Sequence, residues 1–511
     1  MKKAVKRLIY GRTAIVVLCL LVQAGILALS FIYLSRYITV VFGSFTVLSA
    51  LVTIHIMNTS DNPYYKLAWI IPVLVVPVFG TLFYLWAILQ PGPRAIHKRY
   101  EAATRKMLPS LQQNPAVLEE IAAQSAGEAC FVQYMNRYAN AAVYNNTHVA
   151  YLPLGEDKMA AMLVALENAH TFIFLEYFIV EYGEFWGKVL EVLKRKAAEG
   201  VEVRFMYDGT CEFALLPHFY PKELAKHGIK AKAFCPLSPV FSTHQNNRDH
   251  RKICVVDNKT GFTGGVNLGD EYINKTAPHG HWKDTAVQLD GKAVRGLTML
   301  YLQMWNTSEK QLPDENEHKK YLSPYSVPGS GYVLPYGDSP LDGESVGLQV
   351  YIDILNRAQK YVHIMTPYLI IDNQMEAALK YAAKRGVTVK IIMPHIPDKA
   401  PILWLGRTFY AELLASGVEI YEYTPGFVHA KVFVSDGVRA TVGTINLDYR
   451  SLYLHFECGA YLYQNSAIAD IAADYAETLA KCQKITPDFC RRLPWYQKTT
   501  GRFLRLFAPL M

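Results

Sequence analysis

The segment His250-Arg251-Lys252-Ile253-Cys254-Val255-Val256-Asp257 has a near copy at His429-Ala430-Lys431-Val432-Phe433-Val434-Ser435-Asp436. Each copy is followed, at the same offset, by a Gly-x-x-Asn: Gly264 to Asn267 and Gly443 to Asn446. The pattern H-x-K-x4-D-x6-G-x-x-N therefore occurs twice. One match is within chance for a chain with fifteen histidines; two are not. A strand needs only apolar residues in the right rhythm, so packing alone does not place His, Lys, Asp and Asn at equal offsets in both copies. The duplication implies one active site assembled from two similar halves.

On a strand, residues i and i+2 share a face, so His250 with Lys252, and His429 with Lys431, each present an imidazole beside an ammonium. That pairing suits a phosphate. Imidazole is a nucleophile and a proton carrier near neutral pH, while two lysines and the amides of Asn267 and Asn446 can hold the non-bridging oxygens as negative charge builds up. No metal or other cofactor is called for. Asp257 and Asp436 complete the catalytic motif but lie at an odd offset from their histidines, so they read mainly as residues that position it. Two later acids, Asp284 after His250 and Glu457 after His429, are candidates to orient the imidazoles through one ring nitrogen. The alternative for each is a solvated surface acid.

With these residues the chain resembles the phospholipase D superfamily and, within it, the bacterial cardiolipin synthases. The blocks Asn247 to Lys252, Phe262 to Asn267, Thr366-Pro367-Tyr368, Ala383 to Val387 and Asn446 to Ser451 look like that family's sequence, and the likeness runs over essentially the whole length. The resemblance implies a phosphohistidine mechanism with His250 as nucleophile and His429 as acid and base; the two-fold pattern itself does not distinguish them. It also implies phosphatidylglycerol as substrate, with one molecule giving up glycerol and a second accepting the phosphatidyl group. His455 stands where the family often has Asn, and Gly265 and Thr444 occupy a small-residue position that is commonly Ser in other branches.

Half of the chain is hydrophobic, and the excess sits at the start. Ala14 to Leu34, Ile38 to Met57 and Leu67 to Leu89 each approach or exceed the roughly 20 residues that span a bilayer. The first run is too long for a cleaved leader and leads into more apolar sequence. Basic residues flank the region on both sides, Lys2 to Arg12 before and Arg94 to Lys106 after, which favours a cytoplasmic location for both ends and an even number of crossings. Pro72 and Pro77 make the third run a candidate re-entrant or interfacial segment.

Beyond a basic connector the sequence reads as α/β. Strand-like Phe172 to Val180, helical Trp186 to Ala198, Gly200 and the strand Val201 to Met206 are echoed by Tyr361 to Ile371, Gln374 to Lys384, Gly386 and Val387 to Met393. Polar, proline-marked Asn306 to Pro324 suits a linker. The expectation is two pseudo-symmetric phospholipase D-like α/β/α sandwich repeats, over 136–310 and 311–511, preceded by a transmembrane helical region over 1–92 and a connector over 93–135. The second repeat ends in a helical tail whose arginines alternate with Trp495, Phe503, Leu506 and Phe507; it is either an interfacial helix or one packed on the core. Eight cysteines without a C-x-x-C pair fit a reducing compartment, and Cys254 reads as a small buried hydrophobe.

A net charge of +8 with basic clusters beside apolar runs points to anionic lipid surfaces. A nuclease has no need of the apolar runs, and a long basic stretch interleaved with aromatic residues for nucleic acid is missing. The chemistry is phosphodiester exchange at a bacterial cell membrane, with the repeats on the cytoplasmic face. The alternatives are a phospholipase D or phosphatidylserine synthase using the same histidines, or an anionic-lipid scaffold with a relic site.

Overall fold

The computed structural model describes residues 25, 28–29, 38–59, 62–89, 91–111, 113–236, 246–309 and 311–510, with side chains left aside at 38–42, 91–94, 315–316 and 510. It divides into two compact units, one built from the N-terminal segment up to Ala95 and one that begins at Ile96.

In the first unit, helices Ile38–Met57, Pro63–Val75 and Pro77–Leu89 pack on one another around Val52, Ile56, Ile70, Val73 and Tyr84. The third apolar run is thus broken. Pro77 disfavours helical backbone at the preceding residue, and Val76 leaves the helical region at φ −129° and ψ 75°. The first run lies almost wholly outside the described residues. Taken over the residues whose side chains are described, which in Ile38–Met57 begin at Gly43, no helix is long and apolar enough to cross a membrane. The outer faces are nonetheless apolar: Val47, Leu51, Ile54, Leu74, Val75 and Leu89 are all more than half exposed.

The second unit holds two sheets of matching topology. The first contains β1 (Thr147–Leu152), β2 (Phe172–Tyr177), β3 (Glu202–Asp208), β4 (Lys230–Phe234), β5 (Lys252–Val256), β6 (Thr260–Gly264) and β8 (Ala286–Gly291), in the order β1-β8-β6-β5-β2-β3-β4. The second contains β9 (Tyr332–Asp338), β10 (Tyr361–Met365), β11 (Thr388–Pro394), β12 (Glu419–Tyr423), β14 (Val432–Ser435), β15 (Arg439–Gly443), β16 (Glu457–Tyr463) and β17 (Cys482–Lys484). Its order, β9-β16-β15-β14-β10-β11-β12-β17, matches the first strand for strand and adds β17 at the edge. In both sheets the motif strand, β5 or β14, lies antiparallel to the strand that opens the parallel βαβ portion, β2 or β10. The crossover helices Glu184–Ala198 and Asn373–Lys384 end alike. Gly200 and Gly386 take φ of +92° and +94°, and the amides of Val201 and Val387 return to Lys196 and Ala382. That closes the helix through a residue with no Cβ to strain.

The two sheets share one core. Phe174, Ile253, Val255, Val287 and Leu289 of the first are continuous with Val432, Val434, Val442 and Ala460 of the second. Helix Val294–Thr307 packs on β2 and β5 and reaches β9; its counterpart Ala467–Leu479 packs on β10 and β14 and reaches β1. Short strand β7 (His281–Lys283) of the first half pairs in parallel with β13 (Gly426–Val428) of the second. The segment read as a connector is folded onto this core. Tyr100 and Met107 join it, and Glu128 is fully buried between Arg357, Arg439 and Tyr461. Of the two places the sequence leaves open for the C-terminal helix, Trp495–Arg505 takes the one on the core, with part of its apolar surface uncovered. Gly501 is buried against Trp404 and Arg505 lies over the Phe409 ring, while Trp495, Phe503 and Leu506 stay exposed.

Asp257 and Asp436 sit away from the imidazoles. Asp257 accepts from the backbone amides of His170, Thr171 and Phe172 at 2.8–2.9 Å and from the Thr171 hydroxyl. Asp436 accepts from the amides of Gln359, Lys360 and Tyr361 at 2.7–2.9 Å. Each carboxylate therefore locks the start of the neighbouring strand, β2 or β10, onto the end of its own motif strand. Asp436→Asn places an amide NH2 against backbone donors, and charge-assisted bonds of this kind contribute about 1–3 kcal/mol. We predict local destabilisation of that size, read as faster hydrogen exchange at Gln359, Lys360 and Tyr361; unchanged exchange with lost turnover would show that Asp436 acts in the chemistry instead.

Candidate active site

Both motif histidines lie just ahead of their strands, since β5 starts at Lys252 and β14 at Val432. Each is held there by backbone bonds to the other half. The His250 amide donates to the Phe456 carbonyl at 2.9 Å, and the Phe456 amide to the Arg248 carbonyl at 2.8 Å. At the equivalent place, the His429 amide donates to the Lys283 carbonyl at 2.7 Å, where β13 runs alongside β7.

These bonds decide which acid meets which histidine. Sequence order places Glu457 after His429 and Asp284 after His250, but the pairing runs crosswise. Glu457 is next to Phe456, and its Oε1 and Oε2 lie 2.8 and 2.9 Å from Nδ1 of His250. Asp284 is next to Lys283, and its Oδ2 lies 2.6 Å from Nδ1 of His429. Both carboxylates are fully buried. With Nδ1 engaged, each imidazole has Nε2 left for chemistry.

The lysines fold back on their own histidines: Lys252 donates to the His250 carbonyl, and Lys431 donates to the His429 carbonyl with its Nζ 2.9 Å from His429 Nδ1. The i, i+2 relation thus brings ammonium and imidazole into contact in the second motif and ammonium and backbone carbonyl in the first, although the strands themselves begin at or after the lysines. Burial pushes Lys252 down to about 8, against the pull of Glu457. Burial, with repulsion from Lys252, takes Lys431 to about 7 despite the attraction of Asp284. The histidines follow the same physics. Burial and then Lys431 bring His429 to about 4, opposed by Asp284, while burial drives His250 well below its ordinary value against the attraction of Glu457. The resting site therefore has two neutral imidazoles facing two readily discharged ammoniums, all desolvated.

The two asparagines differ. Asn267 accepts from the Ile179 amide at 3.1 Å and donates to the Tyr272 hydroxyl at 2.9 Å, so most of its amide is spent on structure. Asn446 is buried and its Oδ1 has no hydrogen-bond partner. The small-residue positions also differ. Thr444 donates its hydroxyl to Glu457 Oε2. A Cβ on Gly265 would lie 2.0 Å from Asp284 Oδ1, so a side chain there would have to displace the carboxylate from its present place.

Several residues of the site have no motif to announce them. Phe178 meets the His250 ring edge-on at 4.8 Å, and Tyr272 and Trp282 flank His429 at 5.4 and 5.5 Å between centroids. Arg251, fully buried, donates from Nε to the Glu457 carbonyl at 3.1 Å and so braces the acid that serves His250. Its signal was its place inside the first motif, where the second has Ala430. His455 is buried 5.5 Å from the His250 ring.

Comparison with known proteins agrees with this geometry. Residues 162–278 and 351–481 match the family described as cardiolipin synthase, PLD-like domain, and residues 47–87 match the phospholipase D-nuclease N-terminal family. A cardiolipin synthase of Alkalihalophilus pseudofirmus is 33% identical over 478 residues, covering 91% of this chain and 93% of its own. One from Geobacillus kaustophilus is 32% identical over 455 residues, covering 88% and 89%. An uncharacterized protein of Streptococcus mutans is 46% identical over 460 residues, covering 90% and 99%. Among solved structures, the phosphatidylserine synthase of Haemophilus influenzae has a TM-score of 0.57 at 15% identity, covering 75% of this chain and 97% of that one, a likeness of fold. With its duplicated motif and relatives matched over nearly their whole length, the chain belongs to the cardiolipin synthase family of the phospholipase D superfamily.

Proposed function

We propose that the chain transfers a phosphatidyl group from one phosphatidylglycerol to another, giving cardiolipin and glycerol. The observation that carries this reading is the crosswise pairing of two His–carboxylate couples, each with its lysine, in one buried site. In the first step Nε2 of His250 attacks phosphorus while its Nδ1 proton stays with Glu457. The glycerol oxygen leaves with a proton from His429, whose ring Asp284 supports. In the second step His429 takes the proton of a terminal hydroxyl on the second phosphatidylglycerol, that oxygen attacks phosphorus, and His250 is released. One phosphodiester replaces another, so no nucleotide is consumed. Lys252, Lys431 and Asn446 are placed to hold the non-bridging oxygens as charge develops. An arriving phosphodiester anion also offsets the Lys431 charge that helps keep His429 neutral, so substrate binding favours the proton that His429 must donate.

The apolar outer faces of the first unit, the exposed Trp495, Phe503 and Leu506, and the basic residues beside both support a membrane location. We place the first unit in the bilayer as a multi-pass region with an even number of crossings, the repeats on the cytoplasmic side, and anionic lipids as partners. Purified protein given phosphatidylglycerol alone should yield cardiolipin and glycerol in nearly equal amounts. Phosphatidic acid as the main product would mean that water is the acceptor and that the protein is a phospholipase.

His250→Ala and His429→Ala should each lower turnover by at least about 1,000-fold, since the two rings act as a unit. Only the first should abolish the covalent intermediate; His429→Asn should let it accumulate. Rapid-quench mass spectrometry that finds the phosphate on His429 would reverse the roles.

The lysine charges are present below about pH 7 for Lys431 and 8 for Lys252 and are lost above. The profile of kcat/KM for phosphatidylglycerol should therefore fall on the alkaline side of this range. Lys431→Arg, whose charge persists to pH 12 and above, should move the limb upward; a limb unmoved in both Lys431→Arg and Lys252→Arg would assign it to another group.

A further inference from the structure

His455 is 8% exposed, and neither of its ring nitrogens has a hydrogen-bond partner. The reaction above gives it no task. It stands where the resemblance has Asn, and its position is specific: Nδ1 lies 3.7 Å from Glu457 Oε1, the same oxygen that lies 2.8 Å from His250 Nδ1. One ligand atom from each of His250, His455 and Glu457 falls within 4.8 Å of the others. Bonds of about 2.0–2.1 Å to nitrogen and oxygen in a tetrahedral zinc site set ligand atoms roughly 3.3 Å apart. The two separations to Oε1 straddle that value and the two histidine nitrogens lie within 4.8 Å of each other, so side-chain rotation brings three donors of the types zinc prefers onto one ion.

We propose that His250, His455 and Glu457 form an inhibitory site for a divalent transition metal of the zinc type. The inference rests on the reading of His250 as a reacting group. The metal takes the place of the proton shared by His250 Nδ1 and Glu457, and that proton passes to solvent. The fourth position stays open to water or to a phosphate oxygen. An imidazole so bound has lost both its carboxylate support and the electron density it needs to attack phosphorus, so occupancy stops the transfer. Lys252 repels a dication at this place, which makes binding reversible and weaker than at a structural zinc site. An Asn in place of His455 removes the third strong ligand, so a family member with Asn there lacks the site.

The test uses the full chain in detergent micelles with Co²⁺ as a spectroscopic probe and Zn²⁺ as the inhibitor. The wild type should take up one Co²⁺ per chain with new visible absorption, lose turnover of phosphatidylglycerol in step with Zn²⁺, and recover on chelation. His455→Asn should turn over without metal, lose the Co²⁺ absorption and need roughly 10–100-fold more Zn²⁺ for half inhibition; His455→Gln serves if that variant does not fold. In the wild type, Zn²⁺ should also protect His250 and His455 from diethylpyrocarbonate, read by peptide mass. Equal Co²⁺ binding by the wild type and a folded variant, undiminished turnover at full occupancy, or no protection overturns the site. If the metal-free chain makes no cardiolipin, the synthase reading fails, while Co²⁺ binding and protection still decide the metal site.

Discussion

The backbone exchange between the halves, His250 with Phe456 and His429 with Lys283, is the constraint on which the site depends. Each bond holds a motif histidine to the segment that carries the other half's acid. Neither repeat alone has an oriented imidazole, because each supplies a histidine to one couple and a carboxylate to the other. The shared core, the reach of Val294–Thr307 to β9 and of Ala467–Leu479 to β1 therefore serve the chemistry directly. Leaving a buried donor without its acceptor costs about 1–3 kcal/mol, so loss of Glu457 or Asp284 weakens the join between repeats as well as the histidine it serves.

The same burial sets the resting charges. A phosphodiester carries its own negative charge into the site, and a cavity holding permanently charged, desolvated lysines would be expensive to form without it. Here burial brings Lys252 down to about 8 and Lys431 to about 7, so their charges are easily lost above neutral pH and are favoured by an anion. The carboxyls on Nδ1 prevent the histidines from turning their other nitrogen away. On the proposed reading the site is assembled before the lipid arrives, and the lipid completes its proton distribution.

The residues legible in the sequence are those whose type is dictated by chemistry or by backbone geometry. His250, Lys252, His429 and Lys431 are found because phosphoryl transfer needs those groups at fixed offsets, and Gly200 and Gly386 because only glycine readily closes a helix at positive φ. The break at Val76 follows from Pro77. The crosswise pairing is not legible, since it joins residues 207 and 145 positions apart through backbone bonds that any side chain can make. Nor is the task of Asn267, which the motif offers for substrate and the structure ties to Ile179 and Tyr272. Arg251 and Phe178 escape for a third reason. A buried arginine or an aromatic edge has meaning only once the opposing wall is known.

Several departures from two-fold symmetry gather around the His250–Glu457 couple. Glu457 is met by the Thr444 hydroxyl and by Arg251 at its carbonyl, whereas Asp284 accepts from the Thr285 amide at 2.8 Å and faces Gly265, and Ala430 stands at the position of Arg251. Asp284 also shares His429 Nδ1 with Lys431 at 2.9 Å, while Lys252 engages the His250 carbonyl and has no corresponding contact with the ring. On the proposed reading the ring with the bidentate, braced carboxylate, His250, carries the phosphatidyl group, although Lys252 disfavours its charged form as Lys431 does that of His429. A ring balanced between one carboxylate and one ammonium is the better placed to gain and lose a proton. The duplication thus supplies two equivalent imidazoles, and a handful of residues around Glu457 make them unequal.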